Sequence, residues 1–206
     1  MQPIGLRERK KVATKDALSQ AALELALERG LHAVTADAIA EAADVSPRTF
    51  HNYFSSKEDA VLSTLDKMVH GVVESFITRD RAEPVLDSLE AVLIELVESS
   101  GLDRIVAVTR LMAQHPTLIA RQVATFDRTS DALLAEIGRR TGTDPAVDLY
   151  PRLVYHASTS VARAVVELHM TNNESDTAPT RRSLAAAIHD GFTQLRRGLP
   201  QPAVTN

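Results

Sequence analysis

The sequence predicts an all-α protein, with three short helices at the N-terminus and a larger helical domain behind them. Three observations carry this. Apolar residues recur at helical i, i+3 and i+4 spacing along almost the whole chain. The 206 residues include only 8 Gly and 9 Pro, most of them between periodic segments. Ser, Thr and Pro stand where helices would start, and Gly where they would end.

Taken in order, Ala17, Ala21 and Leu25, with Leu23 and Ala26, mark a long first helix that ends at Gly30, a plausible C-cap. The stretch Thr35–Lys57 then reads as two short helices around a tight turn. The Thr35 hydroxyl can accept from an otherwise orphaned backbone N–H. Ile39, Ala40 and Ala43 give a small apolar face. Asp44 stands where the chain must turn, and Asp tolerates the left-handed conformation better than most residues. Ser46 caps again, and Pro47 fits the first helical position, where no N–H is missed. Phe50 and Phe54, four apart, can pack inward together, which turns Arg48, Thr49, His51, Asn52 and Tyr53 outward. A short helix with a buried aromatic edge and an exposed edge of donors suits a DNA groove.

A fourth helix from Lys57 carries Val61, Leu62, Leu65, Met68, Val72, Val73 and Phe76. The polar run Thr78–Glu83 leads to Pro84 and a fifth helix with Leu86, Leu89, Val92, Leu93, Leu96 and Val97, ending near Gly101. Ile105, Val108, Leu111 and Met112 make a sixth, stopped before Pro116. Ile119, Val123, Phe126, Leu133, Leu134 and Ile137 make a seventh, closed by Gly142. Leu149, Leu153, Ala157, Val161, Ala164, Val165 and Leu168 make an eighth, and Leu184, Ile188, Phe192 and Leu195 a ninth. Asn172–Pro179 is polar and expected to be mobile, and Pro200–Asn206 to be a disordered tail.

The motif residues resemble the DNA-binding domain of the tetracycline-repressor-like (TetR) family of bacterial regulators. The matching positions are Thr35, Ile39–Ala40, Ala43, Val45–Ser46, Thr49–Phe50, Tyr53–Phe54 and Lys57–Glu58, and the match reaches back to about Lys15. The chain departs from the family pattern at Asp44, where Gly is usual, at His51, where an aromatic is common, and at Ala60, where Leu is common. His51 and Arg48 lie on the reading face, so no relative's preferred DNA sequence can be carried over. The resemblance implies a helix-turn-helix head over 1–56 and a ligand-binding and dimerisation domain over 57–206, with the helix from Lys57 connecting them. Its C-terminal part is similar in helix order to members that bind acyl-CoA-like or other lipophilic molecules.

Expected DNA-binding residues are Thr35, Ser46, Arg48, Thr49, His51, Asn52, Tyr53 and Lys57. Arg48 can bond O6 and N7 of guanine together, or else meet a phosphate. Thr49 suits a thymine methyl or a phosphate; His51 and Asn52 suit base acceptors, or, for Asn52, a local backbone bond. Tyr53 and Lys57 are expected on phosphate oxygens, Lys57 with help from the positive end of the fourth helix. The expected partners are double-stranded DNA carrying an inverted repeat, a second copy of the chain and a small-molecule effector.

Composition bounds the alternatives. Net charge is −4, but Arg7, Arg9, Lys10, Lys11 and Lys15 crowd the start, a basic arm able to touch phosphates beside an acidic remainder. With no cysteine, disulfides and thiolate metal sites are excluded. No apolar run of about 18 residues and no signal core appear, so no membrane partner and a cytoplasmic location are expected. The histidines, among them His32, His51, His70, His115 and His189, are dispersed without metal-ligand spacing, and no catalytic constellation stands out. No metal, cofactor or enzyme activity is therefore expected.

For the effector, the expectation is an apolar cavity among the fourth to eighth helices, with Met68, Val72, Leu93, Val108, Met112 and Phe126, and with Tyr155, His156 or Arg163 as polar anchor. Arg163 and Glu167 can equally be an exposed i,i+4 pair. Small residues on the eighth helix, facing the ninth helix's apolar stripe, suit a dimer seam. The functional expectation is a homodimeric repressor released from its operator by a lipophilic effector. The alternative is an architectural DNA-binding protein without effector, favoured by a closed C-terminal domain; an all-helical enzyme would need a polar constellation inside the bundle.

Overall fold

The computed structural model describes residues 5–99, 102–172 and 181–201, and for 102–103, 105, 123–129, 169–172 and 181 the backbone only. The helices are α1 (Leu6–Arg29), α2 (Ala36–Ala42), α3 (Pro47–Tyr53), α4 (Lys57–Thr78), α5 (Val85–Glu98), α6 (Leu102–Gln114), α7 (Pro116–Thr141), α8 (Leu149–Asn172) and α9 (Arg181–Arg196), with a 3-10 turn at Leu31–Ala33. Among the described residues there is no strand, and no helix is long and apolar enough to cross a membrane. The all-α expectation and its order of helices are met. Most of the stretch expected to be mobile, and most of the expected tail, lie outside the described residues.

The helices form two compact units: Met1–Met68 with Arg104–Thr125, and Val69–Asp103 with Phe126–Asn206. This grouping differs from the expected 1–56 and 57–206. Three short helices bury too little apolar surface to be more than marginal alone. The core around Phe50, Ile39 and Leu18 is completed by Val61 and Leu62 from α4, Val108 and Leu111 from α6, and Leu118 from α7. In the second unit, α5 packs chiefly on α9, and α9 on α8. Phe76, Val92, Ile137 and Phe192 are fully enclosed there.

Candidate nucleic-acid interface and regulatory elements

The reading helix is fixed at both ends by its own sequence. Ala38 N–H donates to the Thr35 hydroxyl at 3.2 Å, capping α2. Helix α2 then closes with Val45 N–H on the Ala40 carbonyl (2.9 Å) and Asp44 N–H on that of Glu41 (3.0 Å), a Schellman pair. Asp44 makes this possible by adopting φ 53°, the left-handed conformation that glycine usually supplies. Thr49 N–H donates to Ser46 Oγ at 3.1 Å, and the Ser46 and Thr49 hydroxyls share a further bond of 2.9 Å. Phe50 is completely buried and packs at a tilt on Phe54, with ring centroids 5.8 Å apart.

Burying that edge leaves Arg48, His51 and Asn52 exposed on the other. His51 meets the Phe50 ring edge-on, with centroids 5.3 Å apart, which steadies the imidazole at the surface. Thr49 is half-buried and tied to Ser46, and Tyr53 is half-buried against the head's core. Lys57, expected on phosphate, is engaged within the head. Its ammonium donates to the carbonyls of Val34 (2.8 Å) and His32 (3.3 Å), so in the free protein it ties α4 to the segment that leads into α2.

Two further ties were not visible in the sequence. Arg121 of α7 donates to Ser56 Oγ and, at 2.8 Å, to Asp59 Oδ1, while Ser56 caps α4 by accepting from Asp59 N–H at 3.1 Å. The His115 ring, where α6 gives way to α7, stands T-shaped on His32 with centroids 5.0 Å apart. The start of α4 and the approach to α2 are thus both held by the α6–α7 junction.

The second unit contains a polar network that periodicity also missed. The Arg140 side chain is 1% exposed and lies over the Phe76 ring, 4.2 Å from its centroid. It donates to Glu136 (3.0 Å), to Ser88 Oγ (3.1 Å) and to the carbonyls of Phe76 (2.5 Å) and Arg79 (3.2 Å). Burial pushes the Glu136 carboxyl up, but bonds from Arg139 and Arg140 outweigh it and hold it below the ordinary range. Nearby, Glu83 accepts from Arg79 (2.7 and 2.8 Å) and from the Ser88 hydroxyl (2.7 Å), which lowers its carboxyl to about 2.

The expected effector residues divide between the units. Val108 is buried in the head's core and Met112 packs against it; Met68 also belongs to the first unit. Val72 and Leu93 are half-buried in the second, and the Phe126 side chain lies outside the described residues. Of the three polar anchors, only Tyr155 is inside, its hydroxyl donating to Ser130 Oγ at 3.1 Å. His156 is exposed, and Arg163 is an exposed partner of Glu167 at 2.7 Å. These two stand on the outer side of α8, so the protomer's interior does not receive them as anchors.

A groove of about 540 Å³ runs between α8 and α9, lined by Ala157, Ser160, Val161, Ala164 and Leu168 facing Gly191 and Leu195. Leu168, which lines it, is more than half exposed, as is Leu153 further toward the start of α8. The two helices come close because Gly191 has no side chain: a Cβ there would lie 2.6 Å from a Val161 methyl.

Comparison with known proteins agrees with this arrangement. Residues 18–63 match the model for bacterial regulatory proteins of the tetR family, and residues 83–200 match the MftR C-terminal domain. The chain is 31% identical over 200 residues to the HTH-type transcriptional regulator TcmR of Streptomyces glaucescens, covering 93% of this chain and 87% of that one. Its fold is similar to the fatty acid degradation regulator FadR from Bacillus halodurans (TM-score 0.61, 20% identity, 98% and 100% of the two chains). It is also similar to Thermus thermophilus FadR in complex with lauroyl-CoA (TM-score 0.54, 23% identity, 93% and 98%). The chain belongs to the TetR family of DNA-binding transcriptional regulators.

Proposed function

We propose that the protein is a homodimeric repressor that holds an inverted-repeat operator and releases it when a small lipophilic effector occupies the second unit. The observation that carries the DNA half of this reading is the clamped helix α3, with Phe50 buried and Arg48, His51 and Asn52 exposed. Arg48 is the principal base contact; Ser46, Thr49 and Tyr53 position the head, and Thr35 and Lys57 brace it. The dimer uses the exposed α8–α9 face, where Ala157 and Ala164 permit close approach of a second copy. The effector reading is supported by the apolar interior and by a lipophilic ligand in the Thermus thermophilus relative. Tyr155 is the polar anchor, its bond to Ser130 being one that a carbonyl or carboxylate can replace.

A duplex selected by the protein from random DNA tests the first part: it should contain an inverted repeat. Arg48→Ala should cost about 1–3 kcal/mol on that duplex and little on random DNA. Equal loss on both would remove its reading role. Ala164 is exposed in the protomer, so Ala164→Arg should fold normally yet sediment as a monomer; a wild type that is itself monomeric at micromolar concentration would defeat the dimer. Long-chain acyl-CoA thioesters are the first effector probes. A 100-fold preference for the released state corresponds to about 2.7 kcal/mol, and operator should weaken the probe's binding by the same factor. Should no lipophilic probe couple to operator affinity, the effector-free architectural reading takes its place.

A further inference from the structure

Hydroxyls on the helices of this chain often return to their own backbone. Thr14 (3.0 Å), Thr78 (3.0 Å) and Thr141 (2.9 Å) each donate to the carbonyl four residues earlier. On α8, Thr159 does the same, meeting the carbonyls of Tyr155 (3.0 Å) and His156 (3.1 Å). Its neighbour Ser158 does not. Ser158 is 4% exposed, and its Oγ has no hydrogen-bond partner among the described residues. Nor does it stand at an edge. Val154 and Tyr155, one turn before it, and Val161, one turn after, are buried on the same side, so the hydroxyl lies in the middle of the inner face of α8. A buried hydroxyl left unpaired is a net cost to folding, and alanine would remove that cost while favouring the helix. A second hydroxyl stands on the same face: that of Tyr155, which donates to Ser130 Oγ of α7 at 3.1 Å. All three residues belong to the second unit.

We infer that Ser158 is a second polar anchor of the effector site, its hydroxyl held ready to donate to a carbonyl oxygen of the bound molecule; this rests on the effector reading above. Binding supplies the partner that the empty protein lacks. The hydroxyl therefore costs stability without effector and adds affinity with it. Neutral hydroxyls among valines match a carbonyl oxygen, which brings lone pairs without a charge; they would not offset the desolvation of a carboxylate. The effector is accordingly an apolar body carrying an ester, thioester or ketone. A site built to bond that oxygen rejects an analogue lacking it, because its own polar groups are then left unpaired.

Lauroyl-CoA and the thioether dodecyl-CoA differ only in the carbonyl oxygen, and calorimetry on the full chain compares them. Wild type should prefer lauroyl-CoA by at least about tenfold. Ser158→Ala should cut that preference about fivefold, the factor of one neutral hydrogen bond, and leave affinity for the thioether unchanged. Thr159→Val, which removes a hydroxyl already bonded to the backbone, should keep the wild-type preference. Without either compound, and at fixed protein concentration, Ser158→Ala should melt about 2–4 °C above wild type. It should also melt above Ser160→Ala, where an exposed serine gains helix propensity alone. A lower melting temperature for Ser158→Ala would make the hydroxyl structural and overturn the assignment. So would equal binding of the two compounds by wild type, an undiminished preference in Ser158→Ala, or an equal loss in Thr159→Val. A wild type that binds neither compound is a different failure, that of the effector reading itself, and the role of Ser158 falls with it.

Discussion

Replacing Gly191 by Ala tests the closest approach of α8 and α9. The added Cβ would sit 2.6 Å from one Val161 methyl and 3.4 Å from the other. Carbon atoms rest about 3.5–4.0 Å apart, so roughly 1 Å of room has to be found. Val161 cannot easily provide it, because it is buried and, being β-branched, is confined to one favoured rotamer in a helix. The helices must separate instead, and overpacking of this kind costs about 1–3 kcal/mol. Alanine returns about 1 kcal/mol through its better helix propensity. Gly191→Ala should therefore destabilise the protein by about 1 kcal/mol. The sharper measurement is a double-mutant cycle with Val161→Ala, which removes both offending methyls. In that background Gly191→Ala should become stabilising by about 1 kcal/mol, a coupling near 2 kcal/mol, well beyond the few tenths expected of independent sites. Urea unfolding at fixed protein concentration reads both effects, the concentration being held because a dimer's stability depends on it. If Gly191→Ala has the same sign and size in both backgrounds, the two helices do not meet at this pair and the reasoning fails.

Three other perturbations follow from the geometry. Asp44→Gly should raise the head's stability by about 0.5–1 kcal/mol by relieving a left-handed L-residue, and a lower melting temperature would count against the Schellman turn. Lys57→Met should cost about 1–2 kcal/mol by orphaning the Val34 carbonyl, seen as faster amide exchange in α2 and α3; unchanged stability with weaker binding to every DNA would make the residue a phosphate contact alone. Glu83 has its carboxyl lowered from 4.5 to about 2, so its contribution is complete above pH 4.5 and disappears as pH falls through 2. Screening by solvent at this partly exposed site limits the contribution to about 1 kcal/mol. The stability gap between wild type and Glu83→Gln should accordingly close between pH 4.5 and 2, and a gap as wide at pH 2.5 as at pH 6 would contradict the assignment.

The helices were legible because their signals are local: a 3.6-residue apolar rhythm, a cap before it and a glycine or proline after it. The same holds for the reading motif, where Thr35, Asp44, Ser46, Pro47 and Phe50 act within a few residues of one another. What escaped depends on distant partners. Nothing near Arg121 or Arg140 indicates that one will meet Asp59 and the other the carbonyl of Phe76, some 60 residues away. Lys57 looked like a phosphate ligand because it is a cation at a helix start, while its nearest acceptors came from the turn before α2. Apolar rhythm likewise marks Val108 and Met112 as inward-facing without saying which core they fill, and they fill the head's. For His156 and Arg163, the sequence offered both as polar anchors on α8 but could not tell which side of that helix meets solvent.

The Arg140 contacts restrict how α4 can travel. A slide of α4 by one turn, 5.4 Å, would strip the Phe76 carbonyl, and with it the Arg79 carbonyl just beyond the helix, from a guanidinium that is only 1% exposed. The end of α4 is therefore pinned in register against α7 by one buried cation.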